Sequence, residues 1–262
     1  MIQRIQRFIV AACLFAAATF AAQAEIDPET LVGAWLFDDD AGNSASDLSQ
    51  NGFDGEINGA AWDKGIFGSA LSFDGDDWVS IASDPALQIG DELTMMAYFF
   101  AEDIASWRQL IAKSDEYLLR IDPPGEGNRM SAFVKANGTW EPRASSHIPE
   151  LDTWTHFAAV YRADPAGEEQ NLMLYVDGAF QGGADKPGGI APTENPVEIG
   201  RWGNGSYFIG LIDEAAIFNA ALSEEDILEI KQDGLQVAMS GGLAATAEGK
   251  MAVLWANIRK GY

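Results

Sequence analysis

The chain has 262 residues, of which 47% are hydrophobic and 11% aromatic, and its 40 acidic and 16 basic residues give a formal net charge of −24. This hydrophobic fraction supports a buried core and excludes intrinsic disorder as a description of the whole chain. The acidic excess disfavours binding to nucleic acid and to anionic membranes, whereas it suits divalent cations and neutral ligands. Solubility in a salty habitat would also explain most of the charge.

The first residues predict an export signal. Arg4 and Arg7 precede an apolar run over residues 8–22, and residues 22–24 (Ala-Gln-Ala) supply a small-x-small cleavage pattern. We therefore expect residues 1–24 to be a signal peptide and the mature protein to be secreted, either extracellular or periplasmic. A transmembrane anchor is the competing interpretation, but the run is short for a span and rich in alanine.

Cys13 is the only cysteine, and it lies within the predicted signal. The mature protein would therefore have no disulfide, which is common for large bacterial domains whose core is sufficient alone. A lipobox ending at Cys13 is a further alternative, but the apolar run before it is very short. After signal cleavage no hydrophobic span remains in the sequence.

Short β-strands are predicted along most of the chain. The first is Leu31–Phe37, and the acidic residues 38–40 end it. The further predicted strands are Ala70–Asp74, Trp78–Ile81, Leu93–Phe100, Gln109–Lys113, Tyr117–Ile121, Met130–Lys135, Thr155–Tyr161, Leu172–Asp177, Val197–Gly200 and Leu211–Phe218. Many short strands separated by Gly, Pro, Asn and Asp are typical of an antiparallel sandwich or barrel. The predicted strands do not alternate with long helices, so the pattern does not indicate an α/β fold.

Two local patterns predict specific turns and caps. Asp177-Gly178 follows an alternating apolar run and is a strong signal for a two-residue hairpin. Ser223 and Asp226 form an acidic variant of the capping box, and Gly234 is a plausible end for the helix that follows. We expect this helix to pack on the sandwich. The role of the tail, residues 233–262, stays open.

Five groups of segments follow one another in a family-specific order. They are residues 33–38 (GAWLFD) with 47–55 (DLSQNGFDG), 68–75 (GSALSFDG) with 77–79 (DWV), 154–161 (WTHFAAVY), 174–178 (LYVDG), and 210–218 (GLIDEAAIF) with 221–227 (ALSEEDI). Together they resemble the laminin-G-like and pentraxin-like jelly rolls of the concanavalin-A-like lectin/glucanase superfamily. The resemblance implies one all-β domain over residues 25–232, a two-sheet antiparallel jelly-roll sandwich with one short C-terminal helix. It is specific for the fold and not for a ligand.

The resemblance also implies a structural calcium ion. In such folds the acid of the last strand and acids near the first strands approach one another, so Asp38, Asp74 and Asp213 are the predicted ligands. Calcium takes about six to eight oxygen ligands. A second candidate is the alternating series of oxygens in residues 47–54, which lacks the distant glutamate of an EF-hand. Each acid could equally be a turn-forming or strand-ending residue.

Aromatic residues in loops predict a sugar site, because flat rings stack on pyranoses and nearby polar groups bind their hydroxyls. Most aromatic side chains of a sandwich belong to its core, and Trp35 and Trp154 are assigned there. Trp62 and Trp78 stay undecided. The predicted ligand-binding residues are Trp107, Trp140, Arg201, Trp202, Asn204 and Tyr207. The expected partner is a polysaccharide or glycoconjugate.

The sequence contains no recognised catalytic motif. Glucanases of this superfamily carry their carboxylates along one strand as Glu-x-Asp-x-(x)-Glu, and no such run occurs. The serine-hydrolase elbow, phosphate loops and His/Cys zinc spacing are missing too. We therefore expect a secreted, non-catalytic carbohydrate-binding module with a structural calcium ion. An extracellular protein-interaction or adhesion module is the alternative, and a cryptic polysaccharide hydrolase or lyase ranks third.

Overall fold

The computed structural model describes residues 26–164, 170–203 and 205–240. The first eight strands are β1 Leu31–Trp35, β2 Ser44–Ala45, β3 Gly55–Asn58, β4 Ala61–Lys64, β5 Ser69–Asp74, β6 Trp78–Ile81, β7 Glu92–Ala101 and β8 Arg108–Lys113. The others are β9 Tyr117–Ile121, β10 Met130–Val134, β11 Ala144–Ser145, β12 Trp154–Arg162, β13 Leu172–Val176, β14 Ala179–Ala184, β15 Val197–Ile199 and β16 Ile209–Phe218. Short 3-10 turns lie at Pro28–Thr30, Pro85–Leu87 and Pro124–Glu126, and helices α1 Glu224–Asp233 and α2 Leu235–Met239 follow β16.

Within the described ranges these strands form two antiparallel sheets of eight strands each. The first sheet has the order β14-β13-β12-β7-β16-β5-β4, and β1 pairs with the C-terminal half of β16. The second has the order β11-β10-β9-β8-β15-β6-β3-β2. Their inner faces share one apolar core. The predicted all-β jelly-roll sandwich is confirmed.

The core is built from alternate residues of each strand, as the two-residue repeat of a strand requires. In β7, Met95, Ala97 and Phe99 face the core, while Met96 faces outward. Trp35 is fully buried and donates its indole N–H to the carbonyl of Phe53 at 2.8 Å, so its predicted core position is confirmed.

Trp154 differs from its prediction. Its side chain is half-buried at the start of β12, and its ring centroid lies 5.8 Å from that of Phe100. The first strand also ends two residues earlier than predicted, because Phe37 has a φ of 57°, which lies outside the β region. Asp177 and Gly178, both at positive φ, connect β13 to β14 as the predicted hairpin turn.

Helix α1 begins with the predicted capping box. The Ser223 side chain accepts the N–H of Asp226 at 3.1 Å, and the Asp226 carboxylate accepts the N–H of Ser223 at 2.9 Å. Ile227 and Ile230 on the next turns are buried against the outward-facing residues of the first sheet. The helix therefore covers one outer face of the sandwich.

Helix α2 extends the packed domain beyond the predicted boundary at residue 232. Leu235 is fully buried, and its N–H donates to the carboxylate of Glu214 in β16. The predicted signal peptide and residues 241–262 of the tail lie outside the described residues. None of the helices in the described ranges is long and apolar enough to cross a membrane.

His156 lies on the outer face of the first sheet, directly opposite Tyr98 in the pairing of β12 with β7. Its ring is buried, with its centroid 4.8 Å from that of Tyr98, whose hydroxyl donates to the Lys231 carbonyl of α1. Neither ring nitrogen has a hydrogen-bond partner among the described residues. Burial lowers the pKa of His156 to about 3, and the charge of Lys231 acts in the same direction.

We expect His156→Phe to flatten the acid side of the stability profile. The folded pKa of about 3 lies below the ordinary value of 6.5, so the unfolded state binds the proton more readily between these values. The neutral imidazole thus contributes stability above about pH 6.5 that is lost, at about 1.4 kcal/mol per pH unit, as the pH falls towards 3. Phenylalanine keeps a buried ring without this proton. Urea unfolding at several pH values should give a smaller loss for the variant; equal losses in both proteins would contradict this assignment.

Candidate ligand-binding face and cation site

The outer face of the second sheet carries a continuous row of side chains across five strands. Phe133 lies opposite Leu118, Leu118 opposite Ala112, Ala112 opposite Glu198 and Glu198 opposite Ser80. Directly opposed residues of antiparallel strands point to the same face. This row is the floor of the surface that we call the outer face.

Trp140 and Trp202 lie on this floor. Both are half-buried and pack against the apolar cluster of Ala112, Leu118 and Phe133. The two indole rings meet edge to face with centroids 6.0 Å apart, and the Trp140 ring is 6.4 Å from that of Phe133. The structure therefore brings together two residues that the sequence places in separate loops.

A second aromatic group lies beside them on β6 and on the loop that follows β15. The Arg201 guanidinium stacks 3.7 Å from the centroid of Trp78, whose ring is 6.4 Å from that of Tyr207. Glu198 binds Arg201 and also accepts the N–H of Gly203 at 2.8 Å. Trp78, undecided from sequence, thus belongs to the outer face. The predicted Asn204 lies outside the described residues.

A network of ion pairs fixes the other end of the outer face. Asp122 is fully buried and accepts Arg120 Nε and the Ser131 hydroxyl, each at 2.6 Å. Glu126 accepts Arg120 Nη2 at 2.9 Å and also binds Arg143. These side chains are held by one another, so a ligand would meet them already ordered. The sequence gives no signal for this network.

Trp107 joins the network at its exposed side. Its side chain is 42% exposed, and it hydrogen-bonds Glu126. The pKa of Glu126 is lowered, first by the hydrogen bond from Arg143 and further by the charge of Arg120 and the bond from Trp107. Glu126 is therefore an ionised acceptor at neutral pH.

A separate group of acids meets the loop between β4 and β5. Asp213, fully buried in β16, accepts the N–H groups of Ile66 at 2.9 Å and Phe67 at 3.1 Å through Oδ2. Its Oδ1 is buried and has no partner in the described part of the chain. Asp38, which is exposed, accepts the N–H of Ser69 at 2.8 Å.

The electrostatics of this group favour a bound cation. Burial, together with the charge of Asp38, raises the pKa of Asp213 to about 7. Burial likewise raises the pKa of Glu214 to about 8, with Asp213 and Asp38 adding to the effect. None of the three has an ion pair within the described ranges. Carboxylates that repel one another, with one buried oxygen unmatched, favour a positive charge nearby, and carboxylate oxygens are among the ligands that calcium takes.

Asp74 does not join this group. Ser69 and Asp74 are at opposite ends of β5, about 17 Å apart at about 3.3 Å per residue. Asp74 instead lies with Asp76 and Asp77, whose carboxylate oxygens and its own are within 4.8 Å of one another. The structure therefore contradicts a single site made of Asp38, Asp74 and Asp213, because the length of β5 separates its two ends.

The alternative calcium loop in residues 47–54 has a structural use instead. The Asp47 carboxylate accepts the N–H groups of Ala34, Ser49 and Phe53 at 2.9–3.0 Å. The Asn51 amide donates to the Val32 carbonyl at 2.9 Å. These groups satisfy the free edge of β1, so turn and edge closure accounts for them.

Comparison with known families follows from this geometry. A family model described as the concanavalin A-like lectin/glucanases superfamily matches residues 73–228, more than half of the chain. The chain belongs to this superfamily. The resemblance seen in the sequence is thereby confirmed, and the eight-stranded sheets agree with it. The comparison with curated proteins gave no match.

Solved structures share the fold at low sequence identity. Domain 4 of AbnA, a GH43 extracellular arabinanase from Geobacillus stearothermophilus, in complex with arabinotriose, is 19% identical with a TM-score of 0.61, over 78% of this chain and 98% of that chain. The binding domain of Paraclostridial Mosquitocidal Protein 1 is 14% identical with a TM-score of 0.62, over 78% and 52%. The binding domain of Botulinum neurotoxin DC in complex with rat synaptotagmin II is 12% identical with a TM-score of 0.59, over 79% and 52%. At these identities the likeness concerns the fold alone.

We expect Asp47→Ala to lower the free energy of unfolding by about 2–3 kcal/mol, because it leaves partly buried N–H groups of β1 and its loop without an acceptor. Asp63→Ala is the matched control, since Asp63 is exposed and accepts only the N–H of Lys64. Urea unfolding in EDTA measures both. A loss for Asp47→Ala that appears only when calcium is present would restore the metal-loop interpretation.

Proposed function

We propose that this protein is a carbohydrate-binding module that holds its ligand on the outer face of the second sheet. One observation carries the proposal: the predicted ligand-binding residues that are described all lie on this single face. They are Trp107, Trp140, Arg201, Trp202 and Tyr207. The helices cover the outer face of the first sheet, whereas loops border the outer face of the second sheet.

The chemistry of the outer face suits a sugar chain. Trp140 and Trp202 offer partly exposed rings for stacking, and carboxylates and guanidiniums beside them offer hydrogen bonds to hydroxyl groups. Arg120 and Arg143 face Asp122 and Glu126, so their charges largely cancel. Because these groups are already ordered, binding costs little further side-chain entropy.

Two of the similar structures bear on the choice of ligand. The AbnA domain, covered over almost its whole length, is in complex with arabinotriose, which favours a glycan. The Botulinum neurotoxin DC binding domain is in complex with a protein, synaptotagmin II. A polypeptide partner on the same face is therefore the second candidate function.

We propose a non-catalytic role because the acids of the outer face are unsuited to act as the general acid of glycoside cleavage. A general acid needs a raised pKa and access to the substrate. Glu126 is accessible, but its pKa is lowered by Arg143. Asp213 and Glu214 have raised pKa values but are at most 4% exposed, so a polysaccharide does not reach them.

We also propose that Asp38 and Asp213 hold a calcium ion. The unmatched Asp213 Oδ1 and the solvent-facing Asp38 support it. A bound ion would supply the positive charge that this group of acids lacks. Asp213 itself ties β16 to the loop after β4 through the N–H groups of Ile66 and Phe67. Secretion, predicted from residues 1–24, would place the protein where calcium is abundant.

We expect calcium to raise the melting temperature of the wild-type protein and of Asp74→Asn, but not of Asp213→Asn. Binding to the native state alone adds about 2.7 kcal/mol at one hundred times Kd, which is roughly 5–10 °C for a domain of this size. Asp74→Asn tests the other acidic group, Asp74 with Asp76 and Asp77 at the far end of β5, and loss of the calcium shift in this variant would move the ion there. Thermal melts in EDTA and in millimolar calcium test the site; equal calcium shifts in all three proteins would place the ion elsewhere.

We expect Trp140→Ala and Trp202→Ala each to weaken glycan retention at least tenfold, which corresponds to about 1.4 kcal/mol. Tyr207→Ala should have a smaller effect, because it acts through Trp78. Trp154→Ala is the control, as it removes a half-buried tryptophan from the other sheet. Affinity electrophoresis in arabinan, xylan and galactan gels measures retention. Unchanged retention in both tryptophan variants would show that the outer face is not the glycan site. Capture of a protein without glycan retention would favour the protein-interaction function.

A further inference from the structure

A cleft lies where the edge of the second sheet meets the edge of the first, between β11 and β14. Its lining includes Arg129, Ser145, Ser146, His147 and Gln181. Among the described residues its lining includes no carboxylate, although the chain has 40 acidic residues against 16 basic ones. The cleft is thus a local exception to the charge of the whole surface.

The fold positions these groups through both sheets. The Ser146 N–H donates to the Met130 carbonyl, and the Met130 N–H donates to the His147 carbonyl, so these residues continue the pairing of β11 with β10. Gln181 comes from β14, which passes close to β11 at Gly182. A Cβ at Gly182 would lie 3.2 Å from the Ser145 carbonyl oxygen, so the absence of a side chain permits this approach.

Arg129 is the cation of the cleft. Its side chain is exposed, has no hydrogen bond or ion pair within the described ranges, and lies near Gly127. Each of several other arginines is held by a carboxylate; these are Arg108, Arg120, Arg143 and Arg201. Arg129 differs from them in keeping its guanidinium available to a ligand.

Other hydrogen-bonding groups line the cleft together with this guanidinium. The Ser146 hydroxyl lies 2.9 Å from His147 Nδ1, and Ser145 and Gln181 add a hydroxyl and an amide. Guanidinium groups bind oxyanions with two parallel N–H donors, which gives both strength and orientation. The nearest preceding acid, Glu126, is already engaged by Arg120 and Arg143.

We propose that this cleft binds a sugar-borne oxyanion, the carboxylate of a uronate or the sulfate of a sulfated sugar. The inference rests on the proposed glycan-binding function and names a ligand class for it. The cleft adjoins the outer face, since the Ser145 hydroxyl is 2.8 Å from that of Ser131, which donates to Asp122. A chain lying across the outer face would therefore reach Arg129 with an acidic residue. Salt screens the repulsion of the remaining surface beyond about 8 Å at physiological ionic strength.

The test titrates the protein with glucuronate, glucose 6-sulfate and neutral glucose while following the NMR signals of Arg129 Nε–H and the His147 ring. We expect the two acidic sugars to shift these signals saturably and glucose to leave them unchanged. His147→Gln, followed by the Arg129 signal, and Arg129→Gln, followed by the His147 ring, should each weaken binding, the latter at least tenfold. Lys64→Gln, which removes an exposed charge from β4, should stay within twofold of wild type. The relative affinities for glucuronate and sulfate identify the source of the oxyanion.

The outcomes separate this inference from the proposed function. The cleft is overturned if neither acidic sugar shifts the two signals at tens of millimolar, if glucose shifts them equally, or if Arg129→Gln binds as wild type does. If retention on neutral polysaccharide needs Trp202 but neither glucuronate nor glucose 6-sulfate shifts the signals, the oxyanion site is wrong and the glycan-binding outer face stands. If glucuronate or glucose 6-sulfate shifts the signals only when Arg129 is present, and Trp202→Ala changes the retention of no glycan, the oxyanion site stands and the outer face is not the glycan site.

Discussion

Strand β16 is the element on which the first sheet depends, because it pairs with three other strands. Its N-terminal half pairs with β5, its C-terminal half pairs with β1, and β7 runs along its other side. The change of partner occurs at a bulge between Asp213 and Ala216, where Glu214 has a φ of 48°. Bulges bend a strand and redirect side chains. At this bulge the side chains of two consecutive acids bind different segments. Asp213 accepts an N–H of the β4–β5 loop, and Glu214 accepts the N–H of Leu235 at the start of α2.

The two outer faces of the sandwich differ in the side chains and elements that cover them. On the first sheet, Ile227, Ile230 and Leu235 bury apolar side chains under the helices, and a neutral His156 is enclosed with them. On the second sheet, ion pairs and half-exposed tryptophans take the place of a helix. A covered face stabilises the domain, whereas an ordered but open face offers a surface for recognition. The acidic group at the β4–β5 loop lies apart from that surface, so a cation there would act on stability and not on contact with a ligand.

Much of the fold follows from local patterns in the sequence, and the failures have physical causes. Strands with strong alternation and the capping box of Ser223 are predicted because their signals are local. The short strands Ala61–Lys64 and Ala144–Ser145 are missed because they are mostly exposed or too short for a periodic pattern. At the site, aromatic residues in loops are identifiable, but the partners of Arg120 are not, since pairing across strands depends on register. The predicted meeting of Asp74 with Asp38 and Asp213 is wrong because β5 holds Asp74 at the end away from Ser69.

The pairing of Leu31 with Phe218 joins the first strand of the domain to its last. Nearly the whole chain must therefore be present before the first sheet closes, and contacts so distant in sequence make folding slow. An unfinished chain lacks β16 and with it the pairing partners of β1, β5 and β7. Until β16 has been made, such a chain leaves one edge of each of these strands unpaired, and unpaired strand edges are sites of aggregation. The topology thus makes closure of the first sheet a late and cooperative step of folding.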